Sequence, residues 1–477
     1  MSDWKQAPAV TYPHMDVTNL EQAGFYTPFE KFRPGVESNV KSLLMDAILA
    51  TIAGLKSLPE DEVEKLKVLF EEEPQQYRPI FGTPVKTSLS MAGFVNGYCI
   101  RFADLCDTRR QTVGRGGHPA DMIAALLALC DNQKVTGKKV LEAINLGYHM
   151  WAVIYNEMMY KRLDLDGATV LALTVPVMTS FVMGEMPEQM QNVLNLSAMG
   201  GPVGVEIRSS KTVTNLKCGA TGYGIARAFW CYRMSSVLQG TPTVFTGAKG
   251  WSKMVAPLDD GFRAYDDDAV YGQIQFKAFP CCNANQVATE GAVNLHSVVA
   301  DQLDQIAAIH IRVCKKDSTL AIRPGSPKYP IDHPSADHHI QFCTAIGLKY
   351  GALAPKHYEE EYLHDEGVRS LIDKMDVTVM PDEEFESLGG ENGAGVLEVV
   401  MKDGTVHAAR LSRPCGLYTG LSTEEREVRM RETVAAKQIM IEQSYGYDLS
   451  KVADIVSNFE NYNGKDLLDA IQNALNP

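Results

Sequence analysis

Apolar positions fill most of the first 260 residues and recur at helical spacing. Lys41–Leu58 is a nearly unbroken apolar run closed by Pro59, which has no amide hydrogen to extend a helix. Pro119–Cys130 reads as a second helix. Thr136–Arg162 reads as a third, with Val140, Ile144, Leu146, Met150 and Ile154 close to the 3.6-residue period. Leu171–Met183 and Ala226–Leu238 continue the pattern. So many apolar helices must shield one another, which predicts a multi-helix bundle.

Near residue 300 the period changes. Ile309–Val313 alternates as a half-buried strand does, and Asp376–Met380 is a short β-prone run. Val396–Val400, the turn at Asp403-Gly404 and Thr405–His407 predict a hairpin. A helix over Ile340–Leu348 lies between these strands. A compact α+β module is therefore expected at 273–409, between a helical part at 1–272 and a helical return at 410–477.

With 477 residues, 45% hydrophobic and 22% charged, the chain has an ordinary globular profile. The net charge of −14 argues against nucleic acid as a partner, since no basic patch offsets it. The first residues lack the basic start and apolar run of a secretory signal. Leu43–Leu55 and Ala168–Met183 are too short to cross a bilayer and read as buried helices. A soluble protein without a membrane partner is expected, in the cytoplasm or an organelle. Ten scattered cysteines with no Cys-x-x-Cys pair suit a reducing compartment.

Four stretches carry candidate chemistry. Asp104-Leu105-Cys106-Asp107-Thr108 is followed by the basic, glycine-rich loop Arg109–Gly117 and then His118-Pro119-Ala120-Asp121. Proline suits a first helical turn, so His118 is expected at the positive end of a helix, where free N–H groups attract anions. Lys217 stands among small residues, which by themselves suit a surface position. Lys277, between Phe276 and Phe279, marks the change of texture, either in a cleft or snorkelling to water. Asp332-His333-Pro334-Ser335-Ala336-Asp337-His338-His339 is rich in metal-ligating side chains but fits no zinc spacing.

In order and interval these pieces resemble the MmgE/PrpD family over most of the chain. Gly240-Thr241-Pro242, Phe245, Gly247, Gly250, Lys277-Ala278-Phe279-Pro280 and Ala336–Phe342 complete the pattern. The resemblance implies a mainly α fold: a large helical domain with a smaller α+β lid, assembled as a homodimer and needing neither metal nor organic cofactor. It further implies that Asp104, Thr108, His118, Lys217 and Lys277 line one cleft between the domains. The His-Pro-Ala-Asp and Asp-His-His-Ile-Gln-Phe forms look closest to the 2-methylcitrate dehydratase branch.

The chemistry suits those residue types. Removing a proton beside a carboxylate builds up negative charge, and a lysine about 4 Å away contributes roughly 4 kcal/mol of raw Coulomb energy before desolvation. His118 is the expected proton-transfer group, with Asp104 as its partner, Lys217 and Lys277 as clamps, and Thr108, Arg115 and His338 binding substrate. The chain departs from the family at several places, among them a loop before His118 that is longer and more basic than in the decarboxylases. Asp166 and Ala284 stand where histidines are common, and Phe342 replaces a tyrosine. A cofactor-independent lyase dehydrating a citrate-like tricarboxylate is expected. The alternatives are a cis-aconitate-type decarboxylase, an amino-dicarboxylate epimerase and a catalytically silent anion-binding member.

Overall fold

The computed structural model describes residues 11–12, 24–64, 76–80, 85–110, 116–160, 164–209, 213–236, 238, 244, 247–254, 262–263, 265–323, 325–390 and 392–476. Among the described residues, the longer helices of the first part are α1 (Val36–Ser57), α2 (Leu89–Phe102), α3 (Asp121–Leu129), α4 (Gly137–Tyr160), α5 (Ala168–Met183), α6 (Pro187–Ser197) and α7 (Leu216–Met234). Helix α1 begins five residues before the expected Lys41. It is long and apolar enough to cross a membrane, yet 89% of its apolar window is buried within the protein. Helix α7 begins ten residues before the expected Ala226, so Lys217 belongs to its first turn rather than to a surface loop.

Helix α2 is started by Ser88, whose hydroxyl accepts the Met91 N–H at 3.2 Å. It packs most extensively against α7 and also against α1. Glycines permit this closeness: a Cβ on Gly97 would lie 3.1 Å from the Gly222 Cα, and one on Gly222 would lie 2.6 Å from the Phe94 carbonyl oxygen. The tight crossing places Arg101, near the end of α2, and Lys217, at the start of α7, inside the protein; both are buried.

The α+β part contains α8 (Gln286–Val299), β1 (Ile306–Val313), α9 (Ile340–Tyr350), β2 (Met375–Val379), β3 (Gly395–Met401) and β4 (Val406–Leu411). The sheet order is β2-β1-β3-β4, with β1 and β2 parallel and the other pairs antiparallel. Ile309, Ile311 and Val313 are buried along β1, whereas Arg312 pairs with Glu384 and Glu398 at 2.7 and 2.9 Å. The hairpin turns at Gly404, whose φ of 88° suits glycine. One hydrophobic cluster, from Cys281 to Met401, lies between the sheet and α8 and α9.

Three closing helices, α10 (Thr423–Tyr445), α11 (Ser450–Ser457) and α12 (Gly464–Leu475), contribute to the other hydrophobic cluster, which also contains α1 to α5. The two parts are stitched together beside the candidate residues. Thr108 and Arg109 pair antiparallel with Gln275 and Ile274. Across the seam Arg110 forms a buried ion pair with Asp317 at 2.8 Å.

Candidate functional site

Helix α3 is preceded by a tight turn in which the Asp121 N–H donates to the His118 carbonyl at 3.3 Å. His118 therefore sits just before a helix start, although the helix begins at Asp121 rather than at Pro119. The Asp107 carboxylate accepts the Ala120 N–H at 2.9 Å and the Tyr148 hydroxyl at 2.7 Å, tying the two motif segments together. The His118 Nδ1–H donates to the Asp107 carbonyl at 2.9 Å, which leaves Nε2 with the lone pair. Burial, together with the charges of Arg101 and Lys277, lowers the His118 pKa well below its ordinary value. The imidazole is thus uncharged at neutral pH, with the Nε2 lone pair free to accept a proton.

Asp104 lies on the same loop in a left-handed conformation (φ 45°), alone in this among the described non-glycine residues. Such strain gathers at sites whose surroundings enforce it. Here Lys277 enforces it: its Nζ donates to the Asp104 carbonyl at 2.9 Å and pairs with Asp104 Oδ2 at 2.7 Å. Lys277 is 1% exposed and does not snorkel. Although desolvation opposes it, the charges of Lys277 and Lys217 hold the Asp104 carboxyl well below the usual range.

These groups border a cavity of about 110 Å³. Four cationic side chains, Arg101, Arg208, Lys277 and Arg323, and three acids, Asp104, Asp121 and Asp166, line it together with His118 and His338. The cavity receives residues from both parts of the fold, because the lid supplies Cys282, Asn283, Leu320, Arg323 and His338.

Two expected lining residues stand behind the wall instead. Thr108 Oγ1 donates to the Gly117 carbonyl at 3.1 Å and accepts from Asn283 Nδ2 at 3.0 Å, so it positions Asn283 rather than bordering the cavity. Lys217 pairs with Asp337 at 2.6 Å, and Asp337 in turn bonds His338 Nδ1. Buried carboxylates thus neutralise both lysines, and neither is a free clamp. Burial pushes His338 down to about 4, so it too is neutral at neutral pH. Arg115 lies outside the described residues.

Asp121, Arg101, Arg208 and Arg323 carried no assignment from sequence. Asp121 was visible as the last residue of His-Pro-Ala-Asp; the arginines lie in unremarkable helical or loop sequence. Asp121 Oδ2 accepts from the Thr221 hydroxyl at 3.1 Å, while Oδ1 is buried without a hydrogen bond. Desolvation, countered by Arg101, raises its pKa to about 6. Of the departures from the family pattern, Asp166 borders the cavity, whereas Ala284 and Phe342 are buried in the lid core.

The histidine-rich stretch is divided among other tasks. His333 stacks on Tyr358 at 4.2 Å, and His339 accepts the Phe342 N–H at 3.1 Å. Among the described residues, no group of three or more His, Cys, Asp or Glu side chains converges as a metal site would.

Residues 26–260 match the MmgE/PrpD N-terminal domain, and residues 279–435 match the MmgE/PrpD C-terminal domain. The chain belongs to the MmgE/PrpD family. This MmgE/PrpD protein is 25% identical over 347 residues to "2-methylcitrate dehydratase, mitochondrial" of Yarrowia lipolytica, a match covering 68% of the chain and 65% of the relative. It is 25% identical over 309 residues to "2-methylcitrate dehydratase" of Escherichia coli, covering 62% of the chain and 63% of the relative. With "Probable 2-methylcitrate dehydratase" of Saccharomyces cerevisiae the identity is 26% over 320 residues, covering 62% and 61%. The chain therefore spans less than two thirds of the length of each of these relatives.

Proposed function

We propose that this MmgE/PrpD protein is a hydro-lyase that removes water from a citrate-like tricarboxylate, with 2-methylcitrate, the substrate named for its relatives, as the first candidate. The observation that carries this reading is the meeting of a neutral imidazole and an acid of raised pKa in one cation-lined cavity. His118 Nε2 takes a proton from the carbon beside a carboxylate. The C–H electrons form the double bond, the C–O bond breaks, and the hydroxyl leaves as water with a proton from Asp121. Transfer of the proton held on His118 back to Asp121 resets both groups. Arg101, whose Nε is buried without a hydrogen-bond partner, stabilises the charge that develops on the substrate carboxylate. Asp104 fixes Lys277, and the Lys217–Asp337 pair orients His338.

The test incubates the chain with 2-methylcitrate, citrate and cis-aconitate after chelator treatment and follows the products by NMR. An alkene formed from either hydroxy acid, and lost in His118→Ala, supports the reading. Release of CO₂ from cis-aconitate, with no alkene from the hydroxy acids, replaces it with a decarboxylase. The assembly reading is a homodimer through α7, where Leu216, Tyr223 and Trp230 recur every seven residues and each is more than half exposed. Sedimentation should then show a dimer that Trp230→Glu splits; a monomeric wild-type protein overturns it.

A further inference from the structure

Arg208 borders the cavity with its guanidinium paired along one edge and one nitrogen unpaired. Its Nε and Nη2 both meet the Asp166 carboxylate, Nη2 reaching Oδ1 at 3.0 Å. Asp166 is itself fixed: Oδ1 accepts the Ala168 N–H at 3.0 Å, and its own N–H donates to the Val203 carbonyl at 2.7 Å. The guanidinium plane is therefore held from one edge. Nη2 also lies 3.5 Å from the Thr221 hydroxyl, which donates to Asp121. Nη1 is buried and has no hydrogen-bond partner. Both Asp166 and Arg208 border the cavity that holds His118 and Lys277.

A guanidinium offers five N–H donors in a rigid fork, and a carboxylate is the planar acceptor that matches it. An arginine pinned along one edge, with its remaining nitrogen unpaired in a small cavity, is preorganised for a second carboxylate. We infer that Arg208 binds one carboxylate of the substrate through Nη1, and that Asp166 is the positioning residue that aims it. This rests on the polycarboxylate reading above and assigns to Arg208 a substrate contact separate from the groups that move protons.

The experiment is calorimetric titration of wild-type protein, Arg208→Gln, Arg208→Lys and Asp166→Asn. The probes are tricarballylate and the two dicarboxylates that each lack one of its carboxylates, glutarate and methylsuccinate. Wild-type protein should bind tricarballylate most tightly. Arg208→Gln should weaken tricarballylate roughly 10- to 100-fold, as expected for loss of a charged hydrogen bond. It should leave unchanged the affinity for whichever dicarboxylate lacks the contacted group. Arg208→Lys keeps the charge without the fork and should fall between. In turnover, Asp166→Asn should raise KM severalfold at nearly constant kcat. Equal affinities of Arg208→Gln and wild-type protein for all three probes overturn the inference and leave the polycarboxylate reading standing. Equal weakening of all three overturns it as well, since that is the signature of a general field or a folding defect. Failure of wild-type protein to bind any probe overturns both.

Discussion

Replacing Lys437 with methionine tests how the candidate loop is supported. Lys437, on α10, contacts the Asp46 carboxylate, and its Nζ also donates to the Leu105 carbonyl at 2.8 Å. Asp46 Oδ2 accepts the Asp107 N–H at 2.9 Å, so one buried ion pair holds both Leu105 and Asp107. Both charged side chains are at most 1% exposed. Removing one partner of such a pair costs about 3–5 kcal/mol, because the remaining charge is buried alone.

Asp46 can escape that cost by taking up a proton. Burial, the largest influence, already raises its pKa, and Lys437 opposes the rise. Without Lys437 the folded-state pKa climbs further. A folded pKa above the unfolded value stabilises most at low pH, and that contribution is lost as pH rises toward the folded pKa. The deficit of Lys437→Met should therefore widen by up to about 1.4 kcal/mol per pH unit once the pH exceeds the folded wild-type pKa of Asp46, which itself lies above the unfolded value. Urea denaturation followed by circular dichroism at pH 5 and pH 7 should show a larger gap at pH 7, by at most about 2–3 kcal/mol. Asp46→Leu combined with Lys437→Met should abolish that pH dependence. A deficit below about 1 kcal/mol that is the same at both pH values would refute the reasoning.

Asp121→Asn should lower kcat by about 10²–10⁴-fold as a lost general acid. Wild-type kcat should decline as pH rises through about 6, where Asp121 loses its proton, and a flat wild-type profile from pH 5 to 8 removes Asp121 from that role. Gly97→Leu should destabilise by at least about 1–3 kcal/mol, because the α2–α7 crossing has no room for a side chain; an unchanged melting temperature would contradict the close packing. Arg110→Ala strands the buried Asp317 carboxylate and should cost about 3–5 kcal/mol in urea unfolding. Its loss should also make the α+β part more susceptible to limited proteolysis, and an unaltered digestion pattern would show that the seam does not depend on this pair.

Elements with a strong period were legible. The β1 strand and the β3–β4 hairpin lie within a few residues of their expected places, because alternation and an Asp-Gly turn are local signals. The start of α7 was obscured because Lys217–Gly224 is built of small residues with little apolar rhythm; its helicity follows from packing on α2. At the site, His118, Asp104 and Lys277 were visible as motif residues, and the cavity brings them together with His338. What sequence could not show was pairing at a distance. Lys217 and Lys277 looked like free cations because Asp337 and Asp104 lie 120 and 173 residues away from them. Arg208 depends in the same way on Asp166, 42 residues earlier.

The Asp46–Lys437 contact also sets an order of events during synthesis. The two residues are 391 positions apart. At about 5–20 residues per second, the ribosome needs roughly 20–80 s to deliver the lysine after the aspartate. Throughout that interval α1 carries an acid with no cation to meet it, and the segment bearing Asp104, Asp107 and His118 lacks its support. The nascent chain thus cannot complete its cavity from the amino-terminal helices alone. Ribosome-bound chains halted before residue 437 should remain more protease-sensitive around residues 104–118 than released protein.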